Sequence, residues 1–505
     1  MALNHSFRLD RGAGVLMPVS ALPSPYGIGS FGTACYNFID FLKQIGCSYW
    51  QVLPLGPTGY GDSPYQSYSA FAGNPYFIDL DNLINEGLLS KNEINKQVWQ
   101  VDEQYVDYDA LFKFRIPVLR KAFIRSNHRS LENYRKFCEK NCYWLDDYAL
   151  YMSLKISFLN KSWIKWDKDA KNRQIDLLYS YSEQAKDEIE FWKFCQYKFK
   201  EQWNHIKHYA NASGIKIIGD MPLYVSEDSA DVWTHSELFE LDQEKRPSWV
   251  AGVPPDDFSD KGQRWGNPLY RWRSMKQDNY TWWKERMRLS SELYDVIRID
   301  HFIGIVNYYA IPASSNTAME GKWITGPGKQ LTDVMNESIG DIKIIAEDLG
   351  IISPKVRKLI NKNGYPGMKV ISFAIQGPSS NEYLPHNFNS KNIVAYTGTH
   401  DNETLMGLLL NKTEEELRFA LQYFNVTEIE DLPNAIIRCL YSSVADVVIC
   451  PMQDLLALDN RARMNYPSTT SGNWRWRIKH SMYQSIDWKL IKGYAELYSR
   501  IPNMD

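Results

Sequence analysis

The sequence predicts an α/β protein built as a (β/α)8 TIM barrel, with long insertions between strands 2 and 3 and between strands 3 and 4. Two observations carry the fold and a third places the insertions. Eight short apolar runs bounded by turn residues occur at 15–19, 49–53, 215–218, 296–299, 342–346, 368–373, 393–396 and 447–450. Most lack polar alternation, as expected of strands buried on both faces of a parallel sheet. Helical patterns lie between several of them, and strand–helix alternation repeated eight times reads as a barrel. A doubly wound open sheet is the alternative.

Taken in order, Phe31, Cys35, Phe38, Leu42 and Ile45 recur at three and four residues just before the second run. One amphipathic helix explains that spacing. From Leu53 to Ile215, and again from Ile218 to Val296, the chain is too long for a simple crossover and too long for a structureless loop. The first stretch is rich in helix-period segments, such as 192–208, and predicts a helical insertion over about 76–208. The second is rich in Trp, Pro and Gly and predicts an irregular insertion over the barrel mouth, about 221–292. Ser353 and Pro354 then open a helix, with Ser as cap and Pro at the first helical position. With no linker and no repeat, residues 1–505 read as a single catalytic barrel domain.

Bulk properties exclude several function classes. The net charge of -3 comes without a basic stripe, so no nucleic-acid partner is expected. The seven cysteines (Cys35, Cys47, Cys138, Cys142, Cys195, Cys439 and Cys450) include no CxxC pair, which argues against a disulfide framework or a zinc site. There is no apolar leader and no run long enough to span a bilayer. No membrane partner and a cytoplasmic location follow as expectations, although a plastid form stripped of its transit peptide would look the same.

The chemistry lies where the runs end. The third ends in Asp220, the fourth in Asp300, the fifth in Glu347 and Asp348, and His400 and Asp401 follow the seventh. In a barrel the carboxyl ends of the strands share one mouth, so these acids converge. Each alone could merely cap a helix. Together they suit glycosidic cleavage, which needs one carboxyl to protonate the leaving oxygen and another to meet the oxocarbenium-like carbon. Glu347-Asp348 could also ligate magnesium, but a lone Asp close to an Arg on the neighbouring runs fits sugar chemistry better. No cofactor and no metal are implied. The Gly-rich stretch 56–61 lacks the Lys-Ser/Thr of a phosphate loop.

Long blocks then identify a family. They are 14–23, the loop 53–67 (Leu-Pro-Leu-Gly-Pro-Thr-Gly-Tyr-Gly-Asp-Ser-Pro-Tyr-Gln-Ser), Gly219-Asp220-Met221-Pro222 and Gly252-Val253-Pro254-Pro255-Asp256. Arg298-Ile299-Asp300-His301-Phe302, Ala346-Glu347-Asp348-Leu349-Gly350, Gly398-Thr399-His400-Asp401-Asn402 and Asn473-Trp474-Arg475-Trp476-Arg477 complete the set. In that order, over nearly the whole chain, they resemble the amylomaltase or disproportionating-enzyme family of 4-alpha-glucanotransferases.

The resemblance implies that Asp300 is the nucleophile, Glu347 the general acid and base, and Asp401 the third carboxylate, holding donor-sugar hydroxyls. Tyr65 is placed against the donor ring, and Asp220, Trp265, Arg298, His400, Ser63 and Tyr60 are further sugar-binding candidates. Asp220 could equally orient the arginine. Arg298, two residues before Asp300 and so on the same strand face, should hold that aspartate charged. Neighbouring carboxylates and apolar surroundings should keep the proton on Glu347. The segment 252–268 is expected to form a loop over the site that shields the intermediate from water. Ile303 departs from the family pattern, where a polar or basic residue is expected.

The implied partners are α-1,4-glucans and maltooligosaccharides as donors, with maltooligosaccharides or glucose as acceptors. A monomer or weak homodimer is expected. A hydrolase using the same acids and an inactive glucan-binding protein are the competing readings, and the complete acid set argues against the second.

Overall fold

The computed structural model describes residues 7–59, 61–255, 259–350 and 352–501. Among the described residues twelve strands are formed: β1 (Gly12–Leu16), β2 (Tyr49–Gln51), β3 (Lys216–Met221), β4 (Trp249–Val253), β5 (Gln263–Pro268), β6 (Val296–Ile299), β7 (Asn307–Pro312), β8 (Lys322–Thr325), β9 (Lys343–Ala346), β10 (Gly367–Val370), β11 (Ile393–Tyr396) and β12 (Val447–Pro451). Eight of them form a parallel sheet in the order β10-β11-β12-β1-β2-β3-β6-β9. This is a barrel walked in chain order, and all eight apolar runs became its strands. The open-sheet alternative is excluded.

The barrel is filled, not hollow. Leu16, Ile218, Val296, Ile345, Met368, Val370, Val394, Tyr396, Val447 and Ile449 form its buried interior. Their alternation with residues of the outer core follows the two-residue period of strands. Gly14 shows how tightly neighbours approach. A methyl group there would lie 2.5 Å from the Tyr49 carbonyl oxygen and 2.7 Å from Ile449 Cδ1. The ladder is missing at one place: β9 and β10 share no strand pairing among the described residues. There the Ala346 amide donates to the Pro366 carbonyl at 3.0 Å instead.

The helix expected around Phe38 is Thr33–Gln44, burying Ala34, Cys35, Phe38, Ile39, Phe41 and Leu42. Pro354–Asn363 is capped by Ser353, whose Oγ accepts the Val356 amide. Between β2 and β3 the chain is largely helical, including Tyr108–Arg125, Glu132–Ser157 and Lys186–Ala212. Between β3 and β6 the structure departs from the sequence expectation. That stretch is not irregular: it carries β4 and β5, which join β7 and β8 in an antiparallel sheet ordered β5-β4-β7-β8. In the segment expected as a loop, 252–268, the described ends belong to β4 and β5, which pair antiparallel as a hairpin. Its glycines explain the misreading, because they serve the hairpin. Gly252 carries no side chain where a Cβ would meet the Gln263 carbonyl at 2.1 Å, and Gly262 and Gly266 hold φ of 66° and 83°.

Candidate active site

The acids, Arg298 and His400 are delivered by the carboxyl ends of barrel strands. Asp220 lies on β3, Arg298 on β6, and Asp300 directly after it, its amide donating to the Met221 carbonyl at 3.0 Å. Glu347 directly follows β9, and its amide donates to the Ile299 carbonyl at 3.1 Å. His400 and Asp401 follow β11 on a turn where Asn402 Oδ1 accepts the Thr399 amide at 2.8 Å.

Arg298 is the hub. Its Nη1 donates to both oxygens of Asp220, at 2.6 and 2.7 Å, and to Asp300 Oδ1 at 3.1 Å, while Nε reaches Met368 Sδ at 3.4 Å. The Arg298 side chain is 4% exposed and that of Asp220 is 0% exposed. Asp220 is thus buried beneath the mouth. It fixes the arginine and accepts the Tyr65 hydroxyl at 2.8 Å. Asp300 keeps 27% of its side chain open to the mouth.

Arg298 shares the strand face and contacts Asp300 as expected, but the electrostatic outcome is reversed. Burial and the charges of Asp220 and Glu347 push the Asp300 carboxyl up to about 7 against the pull of Arg298. Burial is the largest cause, and the arginine that opposes it sits closer to Asp220 than to Asp300. Glu347 is also raised, by burial first and by Asp348, which is the direction an acid catalyst needs. Arg298 and two backbone bonds oppose this: Leu349 N–H donates to Oε1 at 2.9 Å and His301 N–H to Oε2 at 2.7 Å.

Asp401 behaves oppositely. Burial acts upward, but His400 and Asn465 outweigh it and hold the carboxyl at about 2. His400 Nε2 lies 3.2 Å from Oδ2, and Asn465 Nδ2 donates to Oδ1 at 2.6 Å. His400 is raised above the ordinary histidine range: burial works against the proton, and Asp401 outweighs it. Arg463 Nη2 completes the grip by donating to the Asp401 carbonyl at 2.8 Å.

The aromatic candidates divide. Tyr65 stacks on His400 with centroids 5.0 Å apart and 17° between planes, and packs against Trp474 at 5.6 Å. Trp265 meets His301 edge-on at 4.8 Å and is half-buried at the mouth on β5. Ser63 shapes the loop, its Oγ accepting the Tyr65 amide at 3.2 Å. Tyr60 and residues 256–258 lie outside the described residues. Ile303 is 6% exposed in the short helix Ile303–Val306, packed in the core.

Sequence reasoning missed Asn465 and Arg463, which lie far from any strand-end acid in the chain and carry no local signature, and it read Met368 only as the start of an apolar run. It also left out His301, whose position beside Asp300 could have found it. His301 holds φ of 51°, and its buried Nε2 has no hydrogen-bond partner. Burial lowers its pKa to about 4, so this imidazole is neutral at neutral pH. Among the described residues no cluster of three or more metal-ligating side chains occurs, and no helix is long and apolar enough to cross a membrane.

A sequence profile described as 4-alpha-glucanotransferase matches residues 17–483. The chain is 46% identical over 486 residues to a 4-alpha-glucanotransferase of Clostridium butyricum, covering 96% of this chain and 100% of that protein. It is 44% identical to that of Thermus thermophilus over 98% of this chain and 100% of the other. Among solved structures, amylomaltase from Streptococcus agalactiae in complex with acarbose superimposes with a TM-score of 0.93 at 41% identity, covering 97% and 99% of the two chains.

Proposed function

The chain belongs to the 4-alpha-glucanotransferase family and transfers segments of α-1,4-glucans; from that premise we propose how its residues divide the reaction. Asp300 attacks the anomeric carbon of the donor, while Glu347 protonates the departing glycosidic oxygen. The product is a glucosyl-enzyme ester and a freed shorter glucan. Glu347, now ionised, takes the proton from the 4-hydroxyl of the acceptor, which displaces Asp300 and restores both groups. Two inversions at one carbon retain the α configuration.

The observation that carries this reading is the arrangement around Arg298. One buried guanidinium touches the acid with the open side chain, Asp300, and is itself locked by an acid with none, Asp220. Such a device positions a nucleophile and steadies the negative charge it regains when the ester breaks. Asp401, fully ionised, is suited to accept donor-ring hydroxyls, and Tyr65 and Trp265 offer flat faces to the sugar CH groups. The β4–β5 hairpin supplies Trp265 and limits access of water to the ester.

Maltooligosaccharides serve as donors, with glucose or maltooligosaccharides as acceptors, and the protein works in the cytoplasm as a monomer or weak homodimer. Incubation of the pure protein with maltotriose tests the core of this. Longer oligosaccharides plus glucose, with constant reducing ends, are expected. Rising reducing ends with only shorter products would overturn transfer as the main outcome.

A further inference from the structure

Beside the acid lies a second carboxylate that takes no part in the proton transfers above. Asp348 is one residue beyond Glu347, at the place where the barrel lacks a strand ladder. Its Oδ1 accepts the Met368 amide at 2.7 Å, across the seam between β9 and β10. The backbone bond across the same seam, Ala346 N–H to the Pro366 carbonyl, lies two residues earlier. Room for the carboxylate is made by Gly367, where a Cβ would come within 2.6 Å of Asp348 Oδ2 and 2.9 Å of Oδ1. The residue that Asp348 holds is not passive either, since Met368 Sδ receives the Arg298 Nε contact at 3.4 Å.

We propose that Asp348 is a positioning residue for Glu347: its carboxylate takes the place of the missing ladder bond and fixes the backbone from which the acid projects. The inference rests on the reading of Glu347 as the acid. The physical need is clear. Glu347 has its backbone tied on the β6 side, through the Ile299 carbonyl and through Phe302 N–H, which donates to the Glu347 carbonyl at 3.2 Å. On the β10 side, the Asp348 side chain supplies the bond that the ladder does not. Without it the chain after β9 can rotate away from β6, and a displacement of about 1 Å in a catalytic group can cost about a hundredfold in rate.

The role requires an acceptor at this position, not a charge. Asp348→Asn keeps a carbonyl oxygen for Met368 N–H and should retain kcat within about threefold, whereas Asp348→Ala should lower kcat on maltotriose about 10- to 100-fold with KM little changed. Gly367→Ala, which crowds the carboxylate off its partner, should resemble Asp348→Ala. The discriminating readout is a donor whose leaving group needs little protonation. First-turnover fluoride release from α-maltotriosyl fluoride should fall less than about threefold in Asp348→Ala and Gly367→Ala, because only the acid is misplaced.

Equal losses on both donors would make Asp348 a general structural residue and overturn the proposal, as would wild-type rates on maltotriose. Glu347→Gln separates the two readings. If it spares maltotriose turnover, the assignment of Glu347 has failed. If it loses maltotriose selectively while Asp348→Ala and Gly367→Ala do not, only the positioning role has failed. Should Asp348→Ala not fold, Gly367→Ala and Asp348→Asn give the same comparison.

Discussion

Two aspartates face the same mouth and end in opposite electrostatic states. Asp300 is pushed up to about 7 and Asp401 is held at about 2. Both have a cationic neighbour. Burial raises both, and the difference lies in the contacts that oppose it. Arg298 is shared with Asp220, which takes two contacts at 2.6 and 2.7 Å against 3.1 Å for Asp300. Asp401 has His400 on one oxygen and Asn465 on the other. A nearby positive charge therefore predicts little until one asks who else is using it. The states also bear on the proposed roles: the carboxylate proposed to form and break a covalent bond is held loosely, and the one proposed to hold hydroxyls is held fast.

The largest effect should come from removing the loosely held group. Asp300→Asn should lower transfer from maltotriose by about 10⁴-fold or more, as loss of a nucleophile does, while glucan binding by calorimetry persists. Activity near wild type would refute its role. Next in size is Asn465→Ala, which takes one oxygen's partner from Asp401. A fall in kcat of about 10- to 100-fold is expected, comparable to loss of a partner that orients a functional ligand. Unchanged kcat would show that His400 alone suffices.

A smaller and more diagnostic effect should follow from Asp220→Asn. This removes a charge that raises Asp300 and weakens the rival claim on Arg298. The Asp300 pKa should fall, so the acid limb of kcat/KM should move to lower pH, since the nucleophile then stays ionised further down the scale. A limb that stays in place or moves upward would mean that Asp220 matters only for holding Arg298 in line.

How much of this could be read from residues alone follows the same division. The barrel was legible because each buried parallel strand is a short continuous apolar run, and the acids were legible because strand ends are where such runs stop. The charge state of Asp300 was not, because the i, i+2 relation puts Arg298 on its face but says nothing of Asp220, 78 residues away in the chain. The grip of Asn465 on Asp401 was hidden for the same reason: 64 residues separate them, and a lone Asn carries no periodic signal. The β4–β5 hairpin was misread because Gly and Pro, which usually mark loops, here make space between closely packed strands.

The smallest predicted effect tests the tightly held member. The folded Asp401 pKa, about 2, lies below its ordinary value of 3.8. The group therefore contributes stability above the unfolded value, and that contribution is lost as pH falls from about 4 towards 2. His400 has the opposite sign. Its pKa is raised by Asp401, so its contribution is present below the ordinary histidine value and lost as pH rises and the imidazole gives up its proton. The pair should thus be worth most in a window between these two limits. Because 48% of the Asp401 side chain is exposed, the size should be that of a solvent-screened pair, about 1 kcal/mol or less. Urea midpoints of the wild type and Asp401→Asn, compared from pH 3 to pH 9, should differ most inside the window and converge on both sides. A difference that stays constant across pH would mean that the ionic pair adds nothing, and that Asn465 on the carboxylate and Arg463 on the backbone carbonyl hold Asp401 in place.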